Sequence, residues 1–329
     1  MAKLSDGFHQ AVCRTFVLLA AALAAAFLWA YLRMQEGNLL IVVFAALSAV
    51  RVLKTTPAAA KLRTILGLTT AAALLQYIVG ASNHGLLLSV LLPVTAGWII
   101  LRTMPADSAH LVLLTGFLAY TAAPGAAAAA GRCVDIVIAG AAAGLISWSA
   151  AVKSSSPATV QPDRFLSKPA AALESWTIFC TAFLYKSLPL PQSIWIVLTV
   201  IFIYMIRQPH ESSISLVRQR IFSVPAGIFL GGLYSGTAVM LDHRLAYFMP
   251  MIAAAGFFML YYRHDFFAFS LFFMFAFTVY ADWMSGISCS FDFRQLLLGR
   301  TLATAIGAAV LLTIEKITAD FSGSRAAAT

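Results

Sequence analysis

Between Ala11 and about Ile314 one apolar run follows another, each of membrane-spanning length and parted from the next by a short linker. A hydrocarbon core needs roughly 20 apolar residues of helix to cross it. Inside that core every backbone polar group has to be satisfied within the protein, which leaves helices or a closed barrel. A barrel would show the period-2 alternation of short strands, and the sequence does not. The expectation is an all-α integral membrane protein. Composition points the same way: 61% of residues are hydrophobic and 11% charged, against about 25% charged in a soluble domain.

On this criterion about twelve spans emerge, at 11–32, 37–53, 62–80, 84–101, 108–124, 130–151, 171–187, 192–206, 219–240, 245–262, 266–282 and 296–315. The longest linker, 152–170, contains VKSSSPATVQPDRFLSKP. Its serines and prolines mark a connector between two halves, 1–151 and 171–329. The N-terminal run is long and followed at once by further spans, so it reads as an uncleaved first helix.

The net charge is +9. In a soluble protein that would suggest nucleic acid. Here the cations sit in short loops, where they set orientation instead. With strict alternation, the outer side carries Arg33, Arg132, Lys186, Arg244, Arg294 and Arg300. The rest of the 22 Lys and Arg fall on the inner side. That bias puts both termini in the cytoplasm. The expected location is a bacterial inner membrane, with the lipid bilayer as the chief partner and no nucleic acid.

The halves resemble one another. The third span of each follows a basic pair, Lys61/Arg63 and Arg218/Arg220, and the sixth begins Gly131-Arg132 and Gly299-Arg300. An even number of spans per half sends both halves into the membrane in the same direction. The pattern predicts two parallel six-helix repeats about an axis along the membrane normal. Small-residue pairs, Gly140/Gly144, Gly227/Gly231 and Gly232/Gly236, predict close helix contacts.

The second half carries three short patterns in order. Trp195 stands four residues before Thr199, Arg220 seven before Gly227, and Arg300 seven before Gly307. This resembles the fusaric acid resistance and aromatic acid exporter superfamily, to which plant aluminium-activated malate transporters are related. The first half follows it loosely, with Gly67 four residues after Arg63 and Gly140 eight after Arg132. The linker is too short for the soluble domain of the large exporters, so the likeness is to short membrane-only members. The resemblance implies export of small, often aromatic, organic anions. It also implies a homodimer and a partnership with a periplasmic adaptor of the membrane-fusion type.

The residues themselves leave two roles open for Arg132 and Arg300. A guanidinium stays charged, so at a helix head it either snorkels to the headgroups or faces a water-filled cavity. In the second role it would hold a carboxylate bidentately, helped by the N–H groups of a first helical turn. Arg63 and Arg220 are entry-funnel residues or determinants of orientation. Lys186 and Arg33 are weaker outer candidates. Trp195, Tyr280 and Trp283 could cradle a ring or form an interfacial aromatic belt. The phenylalanine-dense stretch 266–277 reads as a packing or lipid-facing surface.

No Gly-x-x-x-x-Gly-Lys-[Ser/Thr] is present, so an energy source other than ATP is expected. Proton coupling needs a titrating acid. Asp135, one helical turn from Arg132, and Asp282 are the candidates, each with a structural ion pair as the alternative. An enzyme is not expected: Asp-Asp-x-x-Asp and His-x-x-x-x-Asp motifs are missing, and the six histidines lack ligand spacing. The four cysteines lack a Cys-x-x-Cys pair, and no metal or cofactor is expected. A passive anion channel and a scaffold for an envelope complex remain as rival functions.

Overall fold

The structure is a computed structural model. It describes residues 58–81, 85–118, 125–149, 165–207, 212–240, 266–288 and 292–327, with isolated positions between 17 and 52. Every regular element among the described residues is an α-helix: α1 (Ala58–Ala81), α2 (Leu86–Thr103), α3 (Ala106–Leu118), α4 (Ala126–Ser149), α5 (Lys168–Ser187), α6 (Trp195–Ile206), α7 (Ser213–Met240), α8 (Phe266–Ser288) and α9 (Phe293–Ala327). Each coincides with an expected span. The spans at 11–32 and 37–53 are described only at isolated positions, and 245–262 lies outside the described residues. Three stretches among them are long and apolar enough to cross a membrane: Ala60–Ala81, Ala126–Ser149 and Phe293–Asp320.

The α6 sequence WIVLTVIFIYMI shows environment overriding propensity. Its β-branched and aromatic residues favour strands in a soluble context. A segment removed from water satisfies its backbone most simply as a helix. Every residue from Trp195 to Tyr204 is buried, as befits a helix that is apolar all round.

Two helix starts differ from expectation. α4 begins in the run Ala126–Ala130, because alanine is the strongest helix former. Just before it, Gly125 has φ of 132°, a region open mainly to glycine. Its N–H donates to the Gly80 carbonyl at the end of α1 at 3.3 Å. α9 begins at Phe293 because the Asp292 carboxylate accepts the N–H of Gln295 at 3.1 Å, a side-chain cap. Arg132 and Arg300 therefore lie about two turns inside their helices. The N–H groups of Gly131 and Gly299 are already used within the helix, and the expected anion site at a helix head does not form there.

The chain divides into two compact units, Met1–Ser175 and Trp176–Thr329. In the first, α1 packs along α3 and α4, with α2 beside it. α1 and α4 run antiparallel: Thr69 lies against Gly140, the Cys133 thiol donates to the Ala73 carbonyl at 3.1 Å, and Gly80 receives Ala129 and Arg132. The opposite face of α4 presents Val134, Val137, Leu145 and Trp148 outward, an apolar stripe at helical spacing suited to lipid.

In the second unit α7 packs on α8, and α9 packs on both α6 and α7. Gly227 meets the Leu271 carbonyl and Gly231 the Phe275 carbonyl, so α7 and α8 run parallel. Small residues bring the two backbones together, as in lipid-embedded pairs. Phe222, Phe229, Leu230 and Leu233 of α7 face outward. α6 and α9 are also parallel, with Trp195 beside Arg300, Thr199 beside Thr304 and Arg207 beside Glu315.

Candidate functional site

The Arg-x6-Gly spacing places both residues on one helix face, since seven residues are close to two turns. On α9 that face meets α6: the Gly307 Cα lies against the Ile196 carbonyl, and Arg300 lies over Trp195. An added Cβ at Gly307 would sit 3.2 Å from the Ile196 carbonyl carbon. On α7 the same spacing meets α8: Gly227 packs on Leu271 and Met274, and Arg220 reaches Ser270. The glycines thus seat each arginine-bearing helix against its neighbour.

The two guanidinium groups share one aromatic side chain. Arg300 Cζ lies 4.5 Å from the Trp195 ring centre and 3.8 Å from that of Phe277. Arg220 Cζ lies 5.9 Å from Trp195 and 4.9 Å from Phe202. These are cation–π distances, and they put the two cations no more than about 10 Å apart. The rings themselves interlock. Trp195 meets Phe277 edge-on at 5.6 Å, and Phe202 meets Phe273 at 5.1 Å. Phe269 and Phe273 continue the pile along α8.

Both arginines are buried, Arg220 at 0% and Arg300 at 2% exposure. Arg220 Nη1 donates to Ser270 Oγ at 2.7 Å, and Arg300 Nε to Gln192 Oε1 at 3.4 Å. Arg220 Nε and Nη2 and Arg300 Nη1 are buried without a hydrogen-bond acceptor among the described residues. Ion pairs among the described residues include Arg51–Asp107, His110–Glu174 and Arg207–Glu315, and neither Arg220 nor Arg300 takes part in these. A buried charge is normally paired; here two guanidinium groups face aromatic rings and each keeps buried N–H groups.

The turn before α6 completes it. Gln192 has φ of 62°, a left-handed backbone that costs a non-glycine residue about 1 kcal/mol. Gly299 lets α9 approach the Pro191 carbonyl, where a Cβ would stand at 2.7 Å. Thr199 and Thr304, two buried hydroxyls 3.5 Å apart, join α6 to α9 one turn further on.

The expected residues are thus sorted by the fold. Arg300, Arg220 and Trp195 come together. Arg132 and Asp135 are buried on α4 in the other unit, where they interact electrostatically. Arg63 is exposed on α1. Tyr280 and Asp282 belong to α8, and their side chains lie outside the described residues. Gln192, Phe202, Ser270 and Phe277 join the site without having been expected. Phe266, Phe269, Phe273 and Phe277 recur every three or four residues, which marks one helix face. The turn residue Gln192 carried no such signal. No protein-family model, curated protein or solved structure matches the chain.

Proposed function

We propose that this chain exports small organic anions, aromatic acids among them, across the bacterial inner membrane at the expense of the proton gradient. The observation that carries the reading is the pair of buried guanidinium groups on Trp195, with buried N–H groups left over. One arginine at the bilayer centre costs about 2.5–3.5 kcal/mol even on the lenient insertion scale. Two like charges around one ring add repulsion. A carboxylate entering between them would offset both terms through charge-assisted hydrogen bonds, while Trp195 and Phe277 offer faces for an apolar ring.

The helix lengths support a transport site at this place. The 12 residues of α6 cover only about 18 Å, against roughly 30 Å of hydrocarbon. The non-helical residues Leu188–Ile194 precede it. Pro189, Pro191 and Gln192 of that stretch are exposed, and Gln192 accepts from Arg300; broken helices hold the ligand in many transporters.

The helix directions support two parallel six-helix repeats, about twelve spans in all, with both termini cytoplasmic. Strict alternation of such spans makes the third and sixth antiparallel, the eighth and twelfth parallel, and the ninth and eleventh parallel. Those are the directions of α1 against α4, α6 against α9 and α7 against α8. A homodimer and a periplasmic adaptor rest on the resemblance to the fusaric acid resistance superfamily alone. A passive anion channel is the second reading. It is favoured by one observation: no described carboxylate that could carry a proton touches either arginine.

Inverted membrane vesicles and labelled benzoate test both readings. Arg300→Gln and Arg220→Gln are each expected to lower uptake about tenfold, the equivalent of 1.4 kcal/mol. Wild-type uptake in both variants would overturn the site. Accumulation above the external concentration only with a pH gradient marks a pump, and simple equilibration marks a channel.

A further inference from the structure

We infer that His110 and Glu174, a buried pair in the first unit, form a proton-binding site. The inference rests on the transport reading above and names where the pH gradient would be drawn on.

His110 lies in the second turn of α3 and Glu174 in the second turn of α5. His110 Nε2 stands 2.8 Å from Glu174 Oε2, and the two residues are 2% and 9% exposed. His110 Nδ1 is buried and has no hydrogen-bond partner among the described residues. Each ring nitrogen is a donor or an acceptor in every state. Here one nitrogen is held by the carboxylate and the other is uncommitted.

Among the described residues, the charged and titratable groups of the neighbouring elements are placed as follows. Arg51 donates to Ser108 at 3.2 Å and lies 3.9 Å from Asp107. Arg102 of α2 donates to the Leu166 carbonyl at 3.0 Å. On α1, Arg63 and Tyr77 are exposed and Lys61 is partly so. On α5, Lys168, Cys180 and Tyr185 share the helix of Glu174. Among the described residues His110 is the ion-pair partner of Glu174. Both members can change protonation state, unlike Asp135, whose neighbour Arg132 is a permanent cation.

The exchange is one proton. The Nδ1 lone pair takes a proton from water on one side of the membrane and the imidazole becomes an imidazolium. Its new charge is balanced by the Glu174 carboxylate that already accepts Nε2–H. Release to water on the other side breaks the same N–H bond and restores the starting state. Histidine suits this because its charge changes between about pH 5 and 8.

The test uses the full chain in proteoliposomes with labelled benzoate, in two modes: accumulation driven by a pH gradient, and exchange at equal pH. Glu174→Gln and His110→Gln are expected to lose accumulation while exchange persists, and Glu174→Asp to recover part of it. Accumulation at the wild-type level in both glutamine variants overturns the inference. If those variants do not fold, Glu174→Asp decides: an unchanged pH profile overturns the inference and a shifted one supports it. Infrared difference spectra between acidic and alkaline buffer read protonation without transport. The His110 imidazole contribution should be lost from the difference spectrum of His110→Gln and the Glu174 carboxyl contribution from that of Glu174→Gln, and spectra unchanged in both variants count against the pair. Should the wild type move no benzoate in either mode, the transport reading falls, and these bands alone decide for or against the proton site.

Discussion

Arg132 and Arg300 follow a glycine in matching sequence positions, yet their surroundings are opposite. One turn after Arg132 comes Asp135, buried with it on α4 and close enough to feel its charge. One turn after Arg300 comes Ala303, also buried, and a second cation, Arg220, lies across Trp195. The first arginine carries its counter-ion in the chain. The second is surrounded by rings, with Phe277 at 3.8 Å and Trp195 at 4.5 Å. A repeated motif thus becomes a neutralised packing element in one half and, on our reading, a receptor in the other. One position in the sequence marks the contrast: Asp135 stands three residues after Arg132, and Ala303 three after Arg300.

The sharpest way to break this comparison is to give Arg132 the surroundings of Arg300. Asp135→Asn strips the counter-ion and is expected to lower stability by about 3 kcal/mol, the low end for breaking a buried pair. Thermal unfolding in detergent reads it, and the double variant with Arg132→Gln should recover much of the loss. An Asp135→Asn protein as stable as the wild type would mean that Arg132 finds its compensation elsewhere. A smaller effect is expected at Gly307, where α9 touches the α6 backbone. Gly307→Val drives a branched side chain into the Ile196 carbonyl and should cost about 1–3 kcal/mol. It should also move Arg300 off Trp195, which tryptophan fluorescence would register. The smallest effect belongs to Thr199→Val. The hydroxyl pair is long at 3.5 Å, so the change should fall below about 1 kcal/mol and leave benzoate uptake near the wild-type level.

Much of this architecture was legible in the sequence because membrane physics simplifies it. Apolar runs announce helices, and Arg-x6-Gly announces a shared face, which the contacts at Gly227 and Gly307 display. Helix starts were less legible. Alanines at 126–130 and a cap at Asp292 lengthen α4 and α9 by about a turn at their starts, and apolar counting is blind to caps. The aromatic cluster was half visible. Trp195 and both arginines stood out, whereas Phe277 and Phe202 looked like ordinary greasy residues until tertiary packing put a cation over them. Arg63 and Arg220 looked equivalent, yet one is exposed and the other is among the most deeply buried side chains. Burial of that kind depends on which helix lands opposite, and no local pattern encodes it.

The parallel contact between α6 and α9 has a consequence in time. Ribosomes add about 5–20 residues per second, so α6 and α7 leave the ribosome several seconds before α9. During that interval Arg220 is in place and Ser270, Phe277 and the Gly307 groove are not. The second half must therefore pass through a stage in which a bare arginine waits in or beside the insertion machinery. The last helix closes the cage around it, and the order of synthesis becomes part of how the charge is brought indoors.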